Sequence, residues 1–270
     1  MSAMRVGCQT YSWEMLGGRW SGGPDDILNA VAAAGYAGVE FAASMIGAYY
    51  DEPAAFAEAL AQRDLVLAAF AYASPHGFTD PGHLPDELAG AERALRFAAQ
   101  FPRPLLALGG AASPDRDDYD AKLTRACGFY SEVARRGADL GVEVAVHPHS
   151  HHGSLLESAC EYGRVLDATA DSGLTFNPDS GHIVRGGQDL LTCVQTHAAR
   201  VRHVHVKDVR PDGGWAPLGG GVCDFPALFR LLGDMGYDGW IVAEEESDLA
   251  WRDPSEAIRV NRDYLRSIGL

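Results

Sequence analysis

Four stretches in the second half of this 270-residue chain end in residue types that bind metal ions or carry protons: Val146-His147-Pro148-His149, Asn177-Pro178-Asp179-Ser180-Gly181-His182, His203-Val204-His205-Val206-Lys207-Asp208 and Glu244-Glu245-Glu246. Alternate side chains of an extended strand share a face. His147 therefore groups with His149, His205 with Lys207, and Glu244 with Glu246. If those faces turn inward, His147, Asp179, His205 and Glu244 surround one point. Two imidazoles and two carboxylates suit a borderline divalent ion, such as Mn²⁺, Co²⁺, Zn²⁺ or Fe²⁺, better than Ca²⁺. A lone histidine at a strand end is more often a structural hydrogen-bonding group. Four ligand types at successive strand ends point instead to a metal site.

The elements that would position these residues are legible as short β-rich runs alternating with longer helical ones. The expected strands are 5–10, 38–42, 66–72, 104–109, 142–148, 174–180, 202–208 and 239–246, each brief and bounded by Gly, Pro or polar residues. Helical patterns fall at 24–34, 52–63, 87–101, 119–140, 155–168, 190–199, 225–235 and 255–268, and Gly35, Gly141, Gly236 and Gly269 follow helical runs as left-handed caps would. Eight strand–helix pairs with no Gly-x-Gly-x-x-Gly after the first strand predict an α/β fold, a (β/α)8 TIM barrel formed by residues 1–270 as a single domain. Active sites of such barrels lie at the C-terminal strand ends, where the four stretches fall. The first four strands end less richly, in Gln9, Glu40, Tyr72 and Gly109-Gly110.

A formal net charge of −15, from 22 Lys+Arg against 37 Asp+Glu, argues against nucleic acid or an anionic membrane as partner. No apolar run approaches the roughly 18–20 residues of a membrane span, and no signal-peptide pattern opens the chain. The five cysteines are dispersed and never form C-x-x-C, which reads as reduced thiols in a cytoplasmic protein.

Over nearly its whole length, and most sharply from residue 142 onward, the chain resembles a known family, the xylose-isomerase-like sugar phosphate isomerase/epimerase barrels, and within it the inosose dehydratases. The resemblance is carried by Ala145-Val146-His147-Pro148-His149, Asp179-Ser180-Gly181-His182, the run from Arg202 to Pro211, and the run from Gly236 to Glu244. It implies one divalent ion on His147, Asp179, His205 and Glu244, Mn²⁺ or Co²⁺ foremost, with Zn²⁺, Fe²⁺ or Mg²⁺ as further candidates. Most isomerases and epimerases of the superfamily have Glu where His147 stands, and that Glu is one of their two acid/base groups. Its replacement points to elimination of water from a keto-cyclitol or keto-sugar through a metal-stabilised enediolate. Residues 211–221 form a shorter segment than the resemblance leads one to expect, which implies a different pocket wall.

Glu244, His182 and His149 are the expected proton-transfer residues. Glu40, Lys207, Arg210 and Trp13 are the expected substrate contacts. Asp208 and Glu246 are expected to orient ligating groups, Gly219-Gly220-Gly221 to be a flexible active-site loop, and His151 and His152 to lie on a loop surface. The expected partner is a small polyol or keto-sugar, and self-association into a homo-oligomer stays open. Ketose isomerisation or 3-epimerisation on the same site is the main rival. A nuclease of the endonuclease IV kind needs further histidines on strands three and four, which are absent. A non-catalytic metal- or sugar-binding subunit is the remaining class.

Overall fold

The computed structural model describes residues 4–150 and 153–270. His151 and His152 lie outside the described residues. Among the described residues ten strands occur in chain order: β1 Arg5–Gln9, β2 Gly38–Ala42, β3 Val66–Tyr72, β4 Leu105–Gly109, β5 Glu143–His147, β6 Thr175–Phe176, β7 His203–Val206, β8 Asp208–Val209, β9 Trp215–Ala216 and β10 Trp240–Ala243. Eight form one parallel sheet in the order β6-β5-β4-β3-β2-β1-β10-β7. Its outer strands meet through isolated parallel bridges, Phe176 with Val201 and Asp179 with His205, which nearly close a barrel. β8 and β9 make a separate antiparallel pair.

Strand alternation sorts the buried side chains into three clusters. Val39, Phe41, Phe70, Leu106, Leu108, Val144 and Val146 join the main apolar cluster, shared with the surrounding helices. Small residues dominate a second cluster, in which Ala69, Ala107 and Ala145 pack with Leu105; in a third, Ala68 packs with Trp240 and Val242. The main cluster supplies most of the stabilisation, at roughly 1.5–3 kcal/mol for each large side chain buried. Gly38 is where bulk is refused: a Cβ there would sit 2.6 Å from the Trp240 ring.

The helices start and stop where local chemistry directs. The helix Pro24–Ala34 opens with Pro at its first position, Asp26 accepts the Gly23 N–H at 2.8 Å, and Gly35 ends it at φ +82°. Gly141, Gly236 and Gly269 also have positive φ. Several expected boundaries shift. The sixth strand keeps only two residues, because Asp179 turns the chain into a helix at Ser180–Arg185; the helix expected from 155 begins at Ala159, where Ser158 and Glu161 cap it reciprocally. Short helices at Tyr11–Glu14 and Asp248–Arg252 and the β8–β9 pair are additions, each too short to leave a period in the sequence. Among the described residues no helix is long and apolar enough to cross a membrane.

Candidate metal centre and active site

The C-terminal ends of β5, β7 and β10, with the turn after β6, bring His147, Asp179, His205 and Glu244 together. One ligand atom from each lies within 4.8 Å of all the others, and all four side chains are buried. Backbone structure sets each one. Glu244 follows the last residue of β10, and the His205 N–H donates to the Pro178 carbonyl at 2.9 Å, locking β7 beside the Asp179 turn. Asp179 caps its helix by accepting the His182 N–H on Oδ1 at 2.7 Å. Among the described residues its Oδ2 has no hydrogen-bond partner, and neither has His147 Nε2. These two atoms are 3.7 Å apart, and His147 Nε2 is 3.8 Å from Glu244 Oε2. Such spacings are too long for hydrogen bonds and suit atoms that each sit about 2.0–2.2 Å from one shared cation. Buried polar atoms are rarely left unpaired, so the donor set fits a divalent ion.

His205 is held from both sides. Its Nε2 lies 2.8 Å from Glu40 Oε2 and its Nδ1 2.7 Å from Glu244 Oε2. Burial opposes the imidazolium, but Glu40 and Glu244 outweigh it and push His205 up to about 10. The same Glu40 oxygen lies 2.7 Å from His203 Nε2. Burial would raise Glu40, yet His205 and His203 hold it well below the usual carboxylate range. Glu40 was expected to accept a substrate hydroxyl. Although it lines the cavity, one of its oxygens is engaged by two histidines, and it acts by orienting His205. His203 holds Glu40 from the other side, and the period of two that aligns it with His205 was its signal in the sequence.

Lys207 also differs from expectation. Its ammonium is 1% exposed, donates to Glu244 Oε1 at 2.9 Å and to Glu246, and lies 4.2 Å from the Trp215 ring centroid. Burial would lower its pKa, but Glu244 and Glu246 raise it further. Lys207 thus ties two glutamates together and is not among the residues lining the cavity. His182, expected to transfer protons, is fully buried. It accepts the Ser150 N–H on Nδ1 at 3.1 Å, lies 3.3 Å from Lys207 on Nε2, and is held neutral by burial and by Lys207.

Two expected substrate contacts fall elsewhere. Trp13 is 2% exposed within the apolar core, on the short helix after β1. Arg210 braces the β8–β9 turn, donating to the Trp215 carbonyl at 2.8 Å and to Asp212 at 3.3 Å. The glycine run is likewise no loose loop. Asp208 accepts backbone N–H groups from Val209, Gly219, Gly221 and Cys223 at 2.8–3.1 Å and staples the segment.

A cavity of about 600 Å³ opens above the cluster, and Glu40, His147, His149, Glu244 and Glu246 are among its lining residues. The His149 ring lies 4.6 Å from that of His147. Glu246 was expected to orient a ligating group; it binds Lys207 but also faces the cavity. Burial raises it to about 7, with Lys207 opposing and Glu244 reinforcing the shift. Tyr11, also on the lining, is pushed up to about 12 by burial and by Glu246 and Glu244.

Fold and site together define a parallel (β/α)8 barrel with a four-residue metal-type cluster at the C-terminal mouth. A family profile described as xylose isomerase-like TIM barrel matches residues 28–268, and the chain belongs to that family. An inosose dehydratase from Erwinia tasmaniensis is 32% identical over 157 residues, 51% of this chain and 52% of that one. The match thus spans about half the length of that relative. Among solved structures, IolI with a bound zinc atom superposes with a TM-score of 0.80 at 12% identity, over 98% of both chains. The 3-keto-D-glucoside 4-epimerase YcjR from E. coli gives 0.79 at 18% identity, over 98% of this chain and 100% of that one. At such identities these two likenesses speak for the fold.

Proposed function

We propose that this chain is a divalent-metal-dependent lyase that removes water from a keto-cyclitol or keto-sugar. The observation that carries the reading is the pair of buried atoms, His147 Nε2 and Asp179 Oδ2, left unpartnered 3.7 Å apart beside Glu244 and His205. The half-length similarity to an inosose dehydratase supports it. His147, Asp179, His205 and Glu244 would hold a divalent cation, Mn²⁺ or Co²⁺ foremost, which when bound would supply Lewis acidity to the oxygens of an α-hydroxyketone.

The remaining steps belong to side chains. Glu244 and Glu246 face the cavity side by side with Lys207 between them, so one carboxylate takes the proton adjacent to the ketone while the ammonium offsets the charge left behind. His149, at the cavity wall beside His147, protonates the departing hydroxyl as water.

A second reading, ketose isomerisation or 3-epimerisation, is favoured by the same two carboxylates, because moving a proton between ring faces or carbons needs two exchangeable acid/base groups. The deciding experiment incubates Mn²⁺- or Co²⁺-loaded protein with keto-inositols, ketoses and keto-glycosides and reads product mass. A product lighter by one water is expected. A product of unchanged mass and new retention transfers the assignment to the isomerases and epimerases.

A further inference from the structure

The cavity is chemically one-sided. Its metal-type residues come from β5, the β6 turn, β7 and β10. The opposite wall, from β2 to β4 and the loops that follow, presents the methyl groups of Ala71, Ala73, Ala107 and Ala112 and the rings of Tyr50 and Tyr72. Polar groups there are few and mostly engaged: Glu40 by His203 and His205, Ser44 by donating to Glu14 at 2.7 Å, and Ser74 by accepting the His76 N–H at 3.1 Å. The Tyr72 hydroxyl donates to the Glu87 carbonyl at 3.0 Å and Arg93 to Asp51 at 2.6 Å.

The wall is also held in place. Tyr50 packs edge-on against Phe70 and Phe97, with ring centroids 5.3 and 5.4 Å apart, and the Arg93 guanidinium lies 4.0 Å from its centroid. A planar guanidinium stacked on an aromatic ring offers a flat surface in turn. Prefixed apolar surface of this kind binds without an ordering penalty.

A bare polyol ring carries hydroxyls all around. Turned to the charged side, it would press its far hydroxyls against alanine methyls, and each hydroxyl buried without a partner weakens binding by roughly tenfold or more. The cavity, at about 600 Å³, also lies in the middle of the roughly 300–1,000 Å³ range of sites that enclose drug-sized ligands. One six-membered ring leaves much of it unfilled.

We propose that the ring acted on carries a flat apolar substituent: the substrate is a keto-glycoside whose aglycone lies on the Ala71–Ala73–Tyr72 wall while its sugar faces His147 and Glu244. This rests on the keto-sugar reading above and narrows its substrate class.

The test compares 4-nitrophenyl β-glucoside, methyl β-glucoside and myo-inositol as ligands of Mn²⁺-loaded protein by titration calorimetry, which needs no turnover. The aryl glucoside is expected to bind at least about tenfold tighter than the other two. Ala73→Glu, at an exposed position of the wall, is expected to bring aryl and methyl glucosides within about twofold of each other while Mn²⁺ affinity stays unchanged. Equal binding of the aryl and methyl glucosides by the unmodified protein, absence of binding by both included, overturns the proposal. So does an aryl preference undiminished in Ala73→Glu. Failure of the underlying metal-site reading has a separate signature, namely no Mn²⁺ bound at all.

Discussion

The least obvious residue in this site is Glu40, which lines the cavity and also fixes where His205 points. A carboxylate that orients a ligating imidazole typically contributes 10–100-fold in metal affinity. Glu40→Gln is therefore expected to weaken Mn²⁺ binding by about that factor, read by competition with a chelating dye, without moving the unfolding midpoint of the metal-free protein by more than a few degrees. Asp179→Asn is expected to retain the helix cap, since Asn caps as well as Asp, and to lose the ion; full-strength binding would refute the ligand assignment. His205 adds a pH signature. Without metal it sits between two carboxylates with a pKa raised to about 10, so it holds a proton on Nδ1 throughout the neutral range. A cation must displace that proton. Binding near pH 8 should release about one proton, and affinity should strengthen as pH rises toward 10. Calorimetry in buffers of different ionisation enthalpy measures the release; no proton released would contradict it.

At the scale of elements, period-two alternation explains why so much was legible. It grouped His147 with His149, His205 with Lys207 and Glu244 with Glu246 on shared faces, and the helix-ending glycines marked where helices stop. What stayed hidden depended on partners distant in sequence or on elements too short to have a period. Glu40 meets His205 across 165 positions. Lys207 meets Glu246 across 39, so a cation that looked free for substrate is claimed by the neighbouring strand. Trp13 reads as a loop aromatic until the four-residue helix Tyr11–Glu14 turns it into the core. Arg210 and the glycine run reveal their roles only through the β8–β9 pair and the Asp208 staple. That staple predicts that Asp208→Ala, which strands several backbone N–H groups, destabilises the fold by about 2–3 kcal/mol in urea unfolding. Metal affinity should be unaffected, because Asp208 is not among the residues lining the cavity.

For the molecule as a whole, a bound ion should register as stability. Ligand at a hundred times its dissociation constant adds about 2.7 kcal/mol, and each kcal/mol moves the melting midpoint of a chain of this size by roughly 2–4 °C. Adding Mn²⁺ should raise the midpoint by several degrees, EDTA should reverse the gain, and Asp179→Asn should show none. The sum of that stability is shared unevenly around the barrel. Seven of the eight neighbour junctions are ladders of paired residues, whereas β6 and β7 meet only through the bridges Phe176–Val201 and Asp179–His205. Asp179 and His205 stand on either side of that junction, with His147 and Glu244 one strand further out on each flank. An ion held by all four is thus a clasp across the weakest seam of the barrel. Local breathing there, visible as amide deuterium uptake at Arg202 and His205, should slow on metal loading far more than exchange along β2 and β3. The same ion that readies a substrate would then decide whether the barrel stands open or shut.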